Sequence, residues 1–161
     1  MNSASVGIAG AGPVGLTAAL ALSLKGVDVV VFERWPQLIQ DLRTTIIQPS
    51  SLEIWSRLTN FDSILQYGTL CHTIQFRRPR GDIIAVLELD VLKHDTQFPH
   101  LLLCSLPYIQ PVLLEALLAT GHANVKFGQE VTDVFLSPNA VEAKVTSKDG
   151  RENEEWRSRK G

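Results

Sequence analysis

Hydrophobic and polar positions follow two different periods along this chain. Val6 to Ala9 is a short apolar run closed by glycine, too brief for a helix, and it reads as a strand buried on both faces. From Pro13 to Lys25 nearly every residue is small or apolar, so the pattern predicts a buried helix with Gly26 as its C-terminal glycine. Val27 to Phe32 returns to β-branched and aromatic side chains. Strand, helix and strand within about 30 residues predict a βαβ unit, and with it a parallel sheet.

Beyond Trp35-Pro36 the chain turns polar through Arg43 to Pro49. Ser50 or Ser51 then offers an N-cap, Glu53 falls in the first turn, and Ile54, Trp55 and Leu58 share one helical face. A short second helix is expected around Phe61 to Gln66. Thr73 to Phe76 and Ile83 to Leu87 flank Pro79-Arg80-Gly81-Asp82 as a hairpin. Leu101 to Ser105 reads as a strand, and Gln110 to Ala119 as a helix opened by Pro111. Val125 to Phe127, Val131 to Leu136 and Ala140 to Thr146 supply three more strands, the last two joined at Ser137-Pro138-Asn139. Asp149-Gly150 reads as a further hairpin turn. The last eleven residues carry seven charged side chains; they are either a frayed polar tail or the approach to another strand of a longer fold.

Composition narrows the chemistry. With 161 residues, 45% hydrophobic and 20% charged, the chain is globular and large enough for one core. Fifteen basic against seventeen acidic residues leave a net charge of −2, which gives no cationic footprint for nucleic acid. The one basic run, Arg77-Arg78-Pro79-Arg80, is read as a solvated turn. Cys71 and Cys104, with His72, His94, His100 and His122, show no metal-ligand spacing, and two unpaired thiols suit a reduced, cytoplasmic setting. The apolar start lacks a basic leader and is interrupted by Gly10, Gly12, Pro13 and Gly15, and no run reaches the roughly 18–20 apolar residues of a membrane span. Trp35, Trp55 and Tyr67 are spaced as packing residues, not as an aromatic cage.

The sharpest signal is Gly10-Ala11-Gly12-Pro13-Val14-Gly15, a Gly-x-Gly-x-x-Gly set between the first strand and the first helix. Gly10 permits the tight turn, Gly12 lets backbone approach a pyrophosphate, and Gly15 lets helix and strand pack closely. The helix N-terminus presents free N–H groups and a partial positive charge to the phosphates. Glu33 stands 18 residues beyond Gly15, at the end of the second strand, where a carboxylate can take both hydroxyls of an adenosine ribose and disfavours a 2′-phosphate. A mononucleotide loop is disfavoured, because Leu16-Thr17 occupies the place of the required Lys-Ser/Thr. A simple NAD dehydrogenase would need an acid/base pair such as Tyr-x-x-x-Lys, and Tyr108 is followed four residues on by Val112.

Together with Asp41-Leu42-Arg43-Thr44-Thr45, Pro49 to Trp55, Asp95 to His100 and Gln110 to Leu113, these segments resemble the FAD-dependent aromatic-ring monooxygenases, the para-hydroxybenzoate hydroxylase-like flavoproteins. The resemblance runs over nearly the whole chain. It implies an α/β fold: a Rossmann-like βαβ FAD-binding unit over residues 1–34, with the remaining helices and a β-rich segment over 35–161. It implies FAD as cofactor, NAD(P)H and O₂ as co-substrates and a small aromatic, phenolic substrate, the hard chemistry being the cofactor's. On this sequence the implied diphosphate contacts are Gly10, Ala11, Gly12, Pro13 and Val14 beside Gly15, with Glu33 on the adenosine ribose and Arg34 at the adenosine end. Arg43 matches an arginine near the diphosphate, against the alternative of a surface salt bridge. Gln110 matches a glutamine reaching the flavin's ribityl chain, against the alternative of a plain residue at a helix start. The family's later Asp-Gly and Gly-Asp motifs have no counterpart here, so a truncated chain is expected, holding the adenosine half of the site. The competing expectation is a non-catalytic nucleotide-binding or interaction module that keeps only the βαβ unit.

Overall fold

A computed structural model describes residues 4–42, 44–147 and 153–158. The chain divides into two compact units, Met1–Gln40 with Gln110–Gly161, and Asp41–Ile109.

The first unit is built on the βαβ pattern. Strand β1 (Val6–Ala9), helix α1 (Pro13–Ser23) and strand β2 (Val29–Glu33) follow one another, and β1 pairs parallel to β2 with Val6 opposite Val29 and Ala9 opposite Phe32. Strand β8 (Ala123–Phe127) pairs parallel to the other side of β2, so the order is β1-β2-β8. β2 is therefore the central strand, and all five of its residues are buried. The expectation that β1 would be buried on both faces is corrected: it alternates half-buried and exposed positions, because it takes an outer place in this sheet. α1 stops at Ser23, two residues earlier than the composition suggested, and Gly26 follows at φ +77°. There the N–H of Val27 returns to the carbonyl of Leu22 at 3.2 Å, satisfying one of the helix's last acceptors.

Strands β9 (Gln129–Ser137), β10 (Ala140–Ser147) and β11 (Asn153–Arg157) form an antiparallel sheet in the order β11-β10-β9. Within the charged C-terminal residues Asn153–Arg157 is itself a strand and not a frayed tail: Trp156 lies opposite Ala143 and is buried. Val30 and Phe32 of β2 share one apolar cluster with Ala143, Val145 and Trp156. The Trp156 ring meets Phe32 edge-on at 6.1 Å, and it lies so near Gly7 that an added Cβ there would approach it to 2.9 Å. Asp149-Gly150 lies outside the described residues.

Helix α4 spans Leu106–Ala119, one turn earlier than expected, and Pro111 sits inside it. Pro107, second in the helix, occupies the early position that suits proline, while Pro111 forgoes one helical hydrogen bond.

In the second unit β7 (Leu101–Ser105) is the middle of an antiparallel sheet, flanked by β3 (Thr44–Ile47) and β4 (Thr69–Cys71). Neither flanking strand is evident in the sequence pattern. Helix α2 (Pro49–Leu58) begins on Pro49 with Gln48 at the N-cap, so the expected serine cap is corrected and Glu53 falls past the first turn. The fixed φ of proline suits a first helical position and takes precedence over the serine signal. A short helix α3 (Asp62–Leu65) follows. β5 (Thr73–Arg77) and β6 (Ile83–Glu88) make the expected hairpin, turned at Gly81 with φ +96°. Arg78 and Arg80 are exposed at this turn.

Candidate functional site

The candidate site is the loop between β1 and α1, in the first unit. Gly10, at φ +101°, donates its N–H to the Phe32 carbonyl at 2.7 Å, which ties the start of the loop to the central strand. Gly15 lies against the Gly10 carbonyl, where a Cβ would collide with backbone. The close helix–strand approach assigned to that third glycine is thus present. Gly12 is the N-cap of α1, Pro13 occupies its first position, and the Gly12 carbonyl accepts the first helical bond, from the Leu16 N–H at 2.9 Å. Nothing lies within 4 Å of where a Cβ of Gly12 would stand.

Glu33 ends β2 beside this loop and is 8% exposed. Oε2 accepts the Ala11 N–H at 2.7 Å and Oε1 accepts the Trp35 N–H at 2.9 Å. Each oxygen keeps a second acceptor position, so the carboxylate is held in a fixed orientation and can still receive two hydroxyl donors. The Ala11 N–H, expected on a diphosphate, is instead committed to Glu33. Among the described residues the N–H groups of Gly12, Val14 and Gly15 have no acceptor, and they carry the positive end of the α1 dipole. Val14 is 85% exposed at this end of the helix, an unusual exposure for valine.

Gln110 is not at the start of a helix, as one sequence reading had it, but in the second turn of α4, where it is 1% exposed. Its Nε2 donates to the Ala11 carbonyl at 3.1 Å, and its Oε1 is buried without a partner among the described residues. The structure therefore brings Gly10, Ala11, Gly12, Pro13, Val14, Gly15, Glu33 and Gln110 together. Arg34 is exposed, with its guanidinium 5.3 Å from the Trp35 ring centre. Arg43 lies outside the described residues. Two contributors had no sequence signal: the Trp35 amide, fixed by a turn after β2, and the link from Gln110 to a loop 99 residues away.

The arrangement fits a dinucleotide. Among the described residues it offers unpaired amides at a helix N-terminus, open space over a glycine, an oriented carboxylate at the C-terminal end of the central parallel strand, and an unsatisfied buried acceptor on Gln110. A family model described as an FAD binding domain matches residues 3–159. The chain belongs to the FAD-binding domain family. Among its curated relatives is para-nitrophenol 4-monooxygenase of Pseudomonas sp. strain WBC-3, 28% identical over 143 residues, covering 89% of this chain and 36% of that protein. Another is the 3-(3-hydroxy-phenyl)propionate/3-hydroxycinnamic acid hydroxylase of Escherichia coli, 27% identical over 150 residues, covering 93% of this chain and 27% of that enzyme. The crystal structure of p-nitrophenol 4-monooxygenase from Pseudomonas putida DLL-E4 superimposes with a TM-score of 0.85 at 26% identity, over 97% of this chain and 39% of that one. The chain thus spans about a third of the length of the relatives it matches.

The second unit has two features of its own. An open pocket of about 620 Å³ is lined by residues that include Glu53, Arg57, Lys93, His94, Asp95 and Phe98, with acids and bases intermixed. His72 and His100 lie 5.5 Å apart, ring centre to ring centre. Burial, and secondarily the neighbouring His72, hold the His100 imidazole below its ordinary value, and its Nε2 is buried without a partner among the described residues. Burial likewise raises the Cys104 thiol. Among the described residues no three His, Cys, Asp or Glu side chains are grouped to hold a metal, and no helix is long and apolar enough to cross a membrane.

Proposed function

We propose that this chain seats FAD for a cytoplasmic flavin-dependent monooxygenase that hydroxylates a small phenolic substrate with NAD(P)H and O₂. The observation that carries the reading is the position of Glu33: a buried carboxylate, fixed by two backbone N–H groups, at the end of the central strand and beside a glycine loop whose Gly12, Val14 and Gly15 amides have no acceptor among the described residues. The family match over residues 3–159 supports FAD as the ligand, and the names of the relatives support an aromatic substrate.

In this reading the amides of Gly12, Val14 and Gly15 bind the diphosphate, helped by the α1 dipole and by the absence of side chains at Gly10, Gly12 and Gly15. Ala11 contributes by holding Glu33, and Pro13 by setting the first helical φ. Glu33 accepts the ribose hydroxyls with its two remaining acceptor positions. Arg34 lies at the adenosine end, and Arg43 pairs with a phosphate. Gln110 presents Oε1 to a hydroxyl of the cofactor's chain. Bound FAD supplies the passage of electrons from NAD(P)H to O₂ that ring hydroxylation requires.

The test is direct. After incubation with FAD and desalting, the purified chain is expected to keep a visible flavin absorbance, and a colourless protein overturns the assignment. Glu33→Gln places an NH₂ against a backbone N–H and removes the charge, so FAD affinity by titration calorimetry is expected to fall about tenfold or more. An unchanged affinity would show that the carboxylate does not hold the sugar.

A further inference from the structure

Ala11 is gripped from both sides. Its N–H goes to Glu33 at 2.7 Å and its carbonyl to Gln110 at 3.1 Å. The second grip is buried: Gln110 is 1% exposed, and Leu113 and Leu117, further along the same helix, are fully buried. The Ala11 carbonyl and the Gly12 N–H belong to one peptide plane. Among the described residues no peptide bond is cis, and in a trans peptide the two groups point in opposite directions. Drawing the carbonyl inward onto a buried side chain therefore turns the Gly12 N–H the other way. That N–H has no acceptor among the described residues, and the space over Gly12 is open. A hydrogen bond at the carbonyl also polarises the peptide and makes its N–H a better donor.

We infer that Gln110 is a positioning residue for the diphosphate: it acts through the Ala11 carbonyl to aim and strengthen the Gly12 amide, over and above any contact its own Oε1 makes with a ligand. The inference rests on the reading of this loop as a diphosphate cradle. Glutamine suits the task because it brings a neutral N–H donor of the required length. A methionine would match its size without a donor, and a carboxylate would set an acceptor against an acceptor.

The probe is ADP, which carries the adenosine and diphosphate but has neither a ribityl chain nor a flavin. By titration calorimetry on the folded chain, Gln110→Met is expected to weaken ADP roughly three- to tenfold, the equivalent of one hydrogen bond, and FAD by at least the same factor. If Gln110 only touches the part of the cofactor that ADP lacks, FAD weakens and ADP does not, and the inference is overturned. Gln110→Glu adds a pH signature. Its protonated carboxyl can donate to the Ala11 carbonyl and its carboxylate cannot, so ADP affinity relative to wild type is expected to recover as pH falls; a flat ratio counts against the inference. Should both variants fail to fold, the wild-type chain still decides: on adding ADP the Gly12 amide proton is expected to show a large downfield NMR shift, and an unmoved Gly12 resonance overturns the proposal. Wild-type protein that binds neither ADP nor FAD refutes the cradle itself, whereas wild-type binding with indifferent variants refutes only the role of Gln110.

Discussion

The two units of this chain differ in what their long-range contacts gather round. In the first, residues far apart in sequence converge on one loop: Glu33 and Gln110 hold Ala11, while Trp156 lies against Gly7 in the strand that leads to it. In the second, the β5–β6 hairpin leaves Phe76, Ile83, Ile84, Val86 and Leu87 between 43% and 60% exposed, although its alternating sequence is as strand-like as any in the chain. Strand propensity and exposed apolar side chains are thus common to both units, since β9 of the first leaves Val134, Phe135 and Leu136 between 57% and 82% exposed; what marks the loop of the first is that two distant side chains hydrogen-bond one of its residues. A site is recognisable by such convergence, not by the regularity of the elements that carry it.

Four substitutions would break or sharpen this contrast. Trp156→Ala removes the ring that covers Gly7 and packs on Phe32, and it is expected to destabilise the chain by about 3–5 kcal/mol in denaturant unfolding. A loss below about 1 kcal/mol would show that β11 is not part of the first unit's core. Gly15→Ala drives a Cβ into the Gly10 carbonyl; the loop must shift, at about 1–3 kcal/mol, and FAD affinity should drop up to a hundredfold. Retention of wild-type affinity would mean that the close approach is dispensable.

The third effect is a pH dependence in the second unit. The unfolded His100 titrates near 6.5 and the folded one lower, so below pH 6.5 the unfolded state binds more protons. Stability is therefore complete above that value and is lost as pH falls toward the folded value. The melting temperature should decline over that window, and His100→Gln should flatten the decline. An equal decline in the variant would assign the slope to other groups. The smallest effect is expected for Ile84→Thr, which keeps a β-branched side chain on an exposed hairpin position and should change stability by less than about 0.5 kcal/mol. A larger loss would mean that the hairpin is covered in solution, and the contrast between the units would fail.

Much of the architecture was legible beforehand because its determinants are local. The glycine spacing, the apolar run of α1 and the valines of β2 each declare a conformation within a few residues, and the β5–β6 and β9–β10 hairpins are signalled by alternation around turn residues. β3 and β4 were not legible. Each is three or four residues long and exists because β7 pairs with it, at Thr44 with Ser105 and at Thr69 with Leu103. The start of α4 was misplaced because Pro111 carries the same helix-opening signal as Pro107, and which of the two stands at the start is not a local property.

What the residues determined unaided was the chemistry offered: a backbone free of side chains at Gly10 and Gly12, and an acid at position 33 to face a sugar. What only the folded chain decided was where the remaining polar groups are committed. The Ala11 amide goes inward to Glu33, its carbonyl accepts from a glutamine of a distant helix, and Trp156 lies where Gly7 leaves room. Hydrogen-bond partners and ring contacts between segments a hundred residues apart depend on how elements dock, and no local pattern encodes that docking.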